Sequence, residues 1–273
     1  MIEARALTLQ AGSRMLLSRV DFRIERGAFV AILGANGAGK TTLVRTIAGL
    51  RRPDSGRLLV NEHDAFSLPP YERGRSMAHI AGDETFLDQV LVSEVVAMGR
   101  YPHHRWWEWS QTEHDEHAIH DALDQAGMRA FAHRRFDTLS SGERQRVWIA
   151  LALAQEAPLL LLDEPTSHLD VRAAYDVLLL LRKQRDAGKT IVCVLHDVND
   201  AAQFADRLLV IGRQRILAYD KPENVLRSAA LESAYGIPME IARAASGSLR
   251  VFPAAGLRPR RENEQHERLE HAD

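Results

Sequence analysis

Apolar and polar residues alternate at period two over residues 2–9 (IEARALTL) and 19–24 (RVDFRI), the pattern of strands buried on one face. Arg26-Gly27 supplies the turn that leads to the next strand. The pattern then changes. Phe29–Leu33 (FVAIL) is an unbroken apolar run of β-formers, which predicts a strand buried on both faces. Similar runs recur at Leu159–Leu162, Thr190–Leu195 and Arg207–Ile211, with helical periodicity between them over Val171–Arg185 and Val198–Ala205. Strands alternating with helices predict a mostly parallel α/β sheet. From about Thr85 to Ala157 the alternation stops. Helical patterns at Val92–Met98 and Thr112–Ala126 with little strand signal predict a helical insertion in the α/β core. One more helix-like segment follows Pro222. The end, RPRRENEQHERLEHAD, has a single leucine as its large apolar residue and is expected to be disordered. The expected organisation is one domain over residues 1–256, with a helical subdomain at about 85–157, and a charged tail over 257–273.

Composition narrows the function classes. With 45% hydrophobic and 26% charged residues, the chain of 273 has the balance of a soluble globular protein. A formal charge of −2 gives no global attraction to nucleic acid or anionic lipid. The longest clean apolar stretch, Val147–Ala154, is far below the roughly 20 residues that span a bilayer. The opening MIEARALTLQAGSR lacks the apolar centre of a secretion signal. Cys193 is the sole cysteine, so no intrachain disulfide can form and a reducing compartment is expected. Lysine is rare, occurring only at Lys40, Lys183, Lys189 and Lys221, a bias that genome composition explains. Lys40 nevertheless stands out, because it lies in a glycine-rich loop.

That loop, Gly34-Ala35-Asn36-Gly37-Ala38-Gly39-Lys40-Thr41, fits G-x-x-x-x-G-K-[ST] in full and is followed by Thr42 and a helical pattern. Glycines let backbone N–H groups turn inward around phosphate oxygens, and the following helix adds its positive N-terminal end. Lys40 is expected to reach the β- and γ-phosphates and the Thr41 hydroxyl to bind Mg²⁺. A second feature, LLLLDEPTSHLD over residues 159–170, sets Asp163 and Glu164 at the end of an apolar strand, where ligands sit in a parallel sheet. Mg²⁺ takes oxygen ligands, which assigns Asp163 to the metal. Glu164 then serves as general base for an attacking water.

A phosphate loop alone does not separate kinases, GTPases, helicases and transport motors. The discriminator is Leu139-Ser140-Ser141-Gly142-Glu143, which opens the helical pattern ERQRVWIALALAQ. Here the chain resembles the ATP-binding subunits of ABC transporters, whose signature reads LSGGQ; two of five positions depart. Ser167–Asp170 resembles the family's D-loop, and His196, at the end of the Thr190–Leu195 strand, resembles its switch histidine. The similarity runs from about residue 5 to 255. It implies a P-loop NTPase core of ABC type with a mostly parallel sheet, an antiparallel β N-terminal part and an inserted helical subdomain. It also implies a head-to-tail homodimer enclosing two ATP molecules, each held by Lys40 of one subunit and by Ser140 and Gly142 of the other, with Ser141 offering a free N–H. Glu164 would activate the water, and His196 would orient it and sense the γ-phosphate.

Two departures from the family pattern stand out. The aromatic residue that stacks on adenine falls near Gln10–Ala11, and no aromatic occurs before Phe22. The glutamine at the entry to the helical subdomain is replaced by Gly82. Gln89 lies seven residues later, and Asp83 or Glu84 could bind metal instead. Val95–His103 (VVAMGRYPH) and DEPTSHLD resemble importers of ferric siderophores, haem and cobalamin. The expected partners are therefore transmembrane permease subunits and, indirectly, an extracytoplasmic binding protein, and the expected place is the cytoplasmic face of the membrane. A motor for another cargo, such as cobalamin, and a soluble ABC-type regulatory or assembly ATPase are the alternatives. His103, His104, His114, His117 and His120 invite a metal-site reading, against which exposed helix histidines are common. The RWWEW run at 105–109 reads either as a permease contact or as a buried cluster.

Overall fold

The computed structural model describes residues 1–81, 87–104, 112–245 and 247–254. The chain opens with a long antiparallel pair, β1 (Ile2–Ala11) and β2 (Arg14–Ile24), turning at Gly12-Ser13, so β2 begins five residues before the alternation at 19–24. β3 (Phe29–Leu33) leads into the glycine loop and helix α1 (Lys40–Ile47). β4 (Ser55–Val60) and the short β5 (His63–Asp64) complete a four-stranded antiparallel sheet in the order β2-β1-β4-β5. Next come α2 (Pro70–Ser76), β6 (Met77–Ile80), α3 (Val92–Ala97), a 3₁₀ segment (Met98–His103), α4 (Glu113–Gln125) and α5 (Ser141–Ala154). The α/β alternation resumes with β7 (Leu159–Leu162), α6 (Val171–Asp186), β8 (Thr190–Val194), α7 (Val198–Phe204), β9 (Arg207–Gly212) and β10 (Arg215–Asp220). Two short helices, α8 (Pro222–Leu226) and α9 (Ala230–Tyr235), precede a hairpin of β11 (Met239–Arg243) and β12 (Leu249–Pro253).

The second sheet is six-stranded in the order β10-β9-β3-β8-β7-β6, parallel throughout except for β10. Its central strands are apolar without interruption because both faces are covered. Phe29, Ala31 and Leu33 face one core, shared with α3, α4, α5 and α6; Val30 and Ile32 face the other, shared with α1 and the antiparallel sheet. β7 and β8 divide their side chains in the same alternating way. The mixed α/β architecture agrees with the sequence. Three elements do not follow from it. β6 has only four residues with His79 among them, β10 is too polar to stand out, and the region after Pro222 holds two helices and a hairpin. Among the described residues no helix is long and apolar enough to cross a membrane. The tail over 257–273 and the RWWEW run lie outside the described residues.

Candidate nucleotide site

The sheet order places β8 between β3 and β7. The segments leaving their carboxyl ends therefore meet along one edge: the glycine loop after β3, His196 after β8, and Asp163-Glu164 after β7. Adjacent strands lie about 4.8 Å apart, so this edge spans roughly 10 Å, the scale of a triphosphate.

In the loop, Gly34 sits at φ +152°, and a Cβ there would lie 2.4 Å from the Ile211 carbonyl oxygen on β9. Only glycine lets β3 pass so close to its neighbour. Gly39, at φ +103°, caps α1 without a side-chain hydrogen bond, which leaves the first N–H groups of the helix facing the loop. Asn36 and Gly37 are exposed, Ala35 and Ala38 are half-buried, and Ala38 N–H closes a turn on the Ala35 carbonyl at 3.1 Å. Lys40 is only 5% exposed, yet Nζ donates to two neutral carbonyls, Gly34 at 2.8 Å and Ala35 at 3.2 Å. Burial lowers its pKa, opposed by the charges of Glu164 and Asp163. A buried ammonium in a ring of backbone groups, with no ion pair among the described residues, fits a phosphate.

Thr41 Oγ1 donates to Asp163 Oδ1 at 3.0 Å. Thr42 carries no comparable contact; its carbonyl accepts from Thr46 Oγ1 at 2.7 Å. Asp163 is buried, its backbone N–H donates to the Ile80 carbonyl at 3.0 Å, and burial raises its pKa against the Thr41 hydrogen bond. A hydroxyl and a desolvated carboxylate side by side form an oxygen donor set suited to a hard divalent cation. Glu164 adopts φ +55°, which turns its side chain away from that pair; its Oε2 lies 2.8 Å from His196 Nε2 and 3.4 Å from Ser167 Oγ. Both side chains of the Glu164–His196 pair are partly exposed, as a group acting on a substrate water must be.

Ser140, Ser141 and Gly142 lie at the start of α5. The Ser140 side chain accepts from Glu143 N–H at 3.3 Å, while Glu143 Oε2 accepts from Ser140 N–H at 2.8 Å and from its hydroxyl at 2.9 Å. This reciprocal capping box explains why a glutamate serves at the fifth signature position, a pattern already legible as S-x-x-E. Ser141 is the first residue of α5, and a Cβ on Gly142 would lie 2.8 Å from the Ala173 Cβ on α6. The signature thus packs beside the segment Ser167–Asp170, with Asp170 capping α6. Among the described residues no hydrogen bond or ion pair joins Ser140–Gly142 to Lys40, Asp163 or Glu164.

At the expected adenine position, Gln10 and Ala11 close the β1–β2 hairpin, and the Arg14 guanidinium lies over the loop, 3.2 Å from a Cβ built on Gly37. Arg14 was not singled out by the sequence, because a cation in place of an aromatic has no motif. Gln89 is exposed at φ +59° ahead of α3; Gly82, Asp83 and Glu84 lie outside the described residues. The histidines are used separately. His103 Nε2 lies 2.9 Å from the Gln155 carbonyl, His104 Nε2 lies 3.1 Å from Asp115, and His114 Nε2 lies 3.1 Å from Glu156. No group of three or more metal-ligating side chains occurs among the described residues.

With this geometry in place, comparison with known proteins is specific. The family model described as ABC transporter matches residues 17–167. The achromobactin transport ATP-binding protein CbrD of Dickeya dadantii (strain 3937) is 36% identical over 242 residues, covering 88% of this chain and 89% of the relative. The ferric enterobactin transport ATP-binding protein FepC of Escherichia coli (strain K12) is 36% identical over 241 residues, 86% and 87% of the two chains. The hemin import ATP-binding protein HmuV of Gloeobacter violaceus is 37% identical over 250 residues, 89% and 90%. Among solved structures, the dimeric cassette MJ0796 in a post-hydrolysis state with ADP and Pi gives a TM-score of 0.70 at 27% identity, covering 81% of this chain and 99% of that one.

Proposed function

The chain belongs to the ABC transporter family as an ATP-hydrolysing, ATP-binding subunit, and on that premise we propose that it drives import of an iron chelate, a ferric siderophore or haem. The resemblance of its relatives, named for achromobactin, ferric enterobactin and hemin transport, supports this cargo class. Two copies work with transmembrane permease subunits on the cytoplasmic face of the membrane, and a separate binding protein delivers the chelate.

The observation that carries the assignment of roles is the meeting of Lys40, Thr41, Asp163, Glu164 and His196 on one sheet edge. Residues 34–42 cradle the triphosphate, with Lys40 exchanging its two carbonyl partners for phosphate oxygens. Thr41 and Asp163 would hold Mg²⁺, which would supply positive charge to offset that of the triphosphate. Glu164 accepts the proton of the attacking water, and His196, paired with Glu164 in the present arrangement, turns to orient that water and sense the γ-phosphate. Ser140, Ser141 and Gly142 close over the ATP of a partner copy. Arg14, over Gly37, replaces the missing aromatic beside the base. Residues 1–256 form the ATP-binding unit, with the helical subdomain over about 85–157 facing the permease.

Uptake of radiolabelled ferric siderophores and haem by cells lacking the gene tests the cargo. Loss of iron-chelate uptake, restored by the intact chain but not by Lys40→Ala, is the expected result. Unchanged uptake of every iron chelate refutes the proposal.

A further inference from the structure

Away from the phosphate-loop edge, α7, α8 and the β11–β12 hairpin enclose a cavity of about 530 Å³. Three arginines are among its lining residues, Arg227 just after α8, Arg243 on β11 and Arg250 on β12, against one acidic residue, Glu223. The whole chain carries a formal charge of −2, so this local positive excess is made by the fold. The arginines bond to neutral groups. Arg250 donates to Gln203 Oε1 at 2.7 Å and to the Asn199 carbonyl at 3.5 Å, and Arg243 donates to the Gly247 carbonyl at 2.7 Å. The Arg227 backbone N–H donates to the Val225 carbonyl, while its side chain has no hydrogen-bond or ion-pair partner among the described residues. Asp200, on α7, feels the charge of Arg250 but forms no ion pair with it.

Guanidinium groups match carboxylates in bidentate geometry, and several converging forks select a compact polycarboxylate over a single carboxylate. The volume lies within the roughly 300–1,000 Å³ typical of small-molecule sites. The cavity is also tied to the candidate nucleotide site. The Asn199 amide donates to the Val251 carbonyl at 3.1 Å and accepts from Val251 N–H at 2.9 Å, fastening β12 to α7. α7 is capped by Asp197, whose side chain accepts from Asn199 and Asp200 N–H, and Asp197 directly follows His196.

We propose that this cavity is a regulatory site for a compact di- or tricarboxylate, whose occupancy slows ATP turnover by restraining α7 and, through it, His196. The regulatory half rests on the role given to His196 above. An occupant bridging Arg227 to Arg243 and Arg250 ties α8 and the hairpin together around α7. His196 is bonded to Glu164 in the present arrangement, so contact with a γ-phosphate requires it to change partners, and a clamped α7 opposes that change.

Calorimetric titration of the full chain with tricarballylate, alongside ATP turnover at fixed free Mg²⁺, tests this. One site per chain is expected, weakened roughly tenfold or more by Arg227→Ala or Arg243→Ala, since each removes a charge-assisted contact. Saturation is expected to lower turnover at least about twofold. Absence of binding, binding indifferent to both arginine variants, or binding with unaltered turnover overturns the proposal. The same titration on Lys40→Ala separates the two assignments. Retained turnover in that variant refutes the phosphate-loop role, whereas carboxylate binding there still stands or falls on the arginines alone.

Discussion

Replacing Arg100 by leucine removes the cation at the centre of a buried polar network. Arg100 is 2% exposed; Nε donates to Asp115 Oδ1 at 2.8 Å, and Nη1 donates to the Ala154 carbonyl at 2.6 Å and to Glu156 Oε2 at 2.7 Å. Its loss strands the Asp115 carboxylate, which is equally buried, whereas Glu156 is half-exposed and can turn to water. Breaking such a pair from one side costs about 3–5 kcal/mol. Asp115 keeps the Thr112 N–H at 2.8 Å and the Thr112 hydroxyl at 2.6 Å, which favours the lower end, about 3 kcal/mol. For a domain of this size that corresponds to a fall in Tm of about 6–12 °C. Adding Asp115→Asn removes the stranded charge and keeps an acceptor for Thr112, so the double variant is expected to regain more than half of the loss.

The pH dependence follows from the same contacts. Burial alone would push the Asp115 pKa up, but the hydrogen bonds from Thr112 and Arg100 and the charge of the neighbouring His104 outweigh it and hold the carboxyl far below the usual range. The unfolded chain protonates Asp115 near pH 4, and the folded chain only at lower pH. Its contribution is therefore full above about pH 4 and is lost as pH falls toward the native value. Thermal melts followed by circular dichroism at neutral pH and near pH 3 check both statements, with the gap between the unmodified chain and Asp115→Asn narrowing in acid. A single variant melting within about 2 °C of the unmodified chain, or a double variant no better than the single, refutes the reasoning.

Further outcomes concern the nucleotide site. Glu164→Gln is expected to lower ATP turnover by about 10²–10⁴-fold with nucleotide affinity retained; phosphate-release kinetics and equilibrium binding check this, and an equal loss of affinity argues against a base. Gly34→Ala sets a methyl 2.4 Å from the Ile211 carbonyl oxygen at a left-handed φ and is expected to abolish soluble folded protein, read by expression and circular dichroism. Ser140→Ala removes the α5 cap and is expected to cost about 1 kcal/mol in denaturant unfolding. Cys193 is fully buried, and burial, with the nearby Asp163 charge, pushes its thiol pKa well up. A thiol reagent is expected to react only after unfolding.

The central strands were legible because a strand buried on both faces must be apolar at every position, as Phe29–Leu33 and Leu159–Leu162 are. The glycine loop after β3 was legible because glycines alone tolerate the backbone path at Gly34 and Gly39. β6 escaped because it borrows its stability from β7: Met77–Ile80 pairs with Leu159–Leu162 along its whole length, and four residues leave no periodicity of their own. The β11–β12 hairpin escaped for a related reason. Its residues are mostly exposed, and Asn199, more than forty residues upstream, holds it in place. Arg14 was hidden by the opposite problem, since an exposed arginine in a hairpin is ordinary until the loop it covers is in view.

These differences share a physical cause. The residues that follow each strand stand out in the sequence pattern, whereas the elements joined to the sheet edge at one point do not. α7 begins two residues after His196, with Asp197 as its cap, and bonds at its surface to Arg250 and Val251 through Gln203 and Asn199. α5 is capped by Ser140 and ends beside Gln155, whose side chain donates to the Gly74 and Met77 carbonyls and whose own carbonyl meets His103. Each helix connects a candidate catalytic group to a surface some four turns or fewer away. A load on either surface can therefore reach the edge without altering a residue of the phosphate loop. A Gln155→Ala variant separates the two routes: it is expected to loosen the end of α5 from α2 and β6 and so lower ATP-driven transport. The Glu164–His196 pair and the basal turnover of the detergent-free chain should persist. Equal loss of basal turnover and transport would place Gln155 in the support of the sheet edge and not in the transmission of its motion.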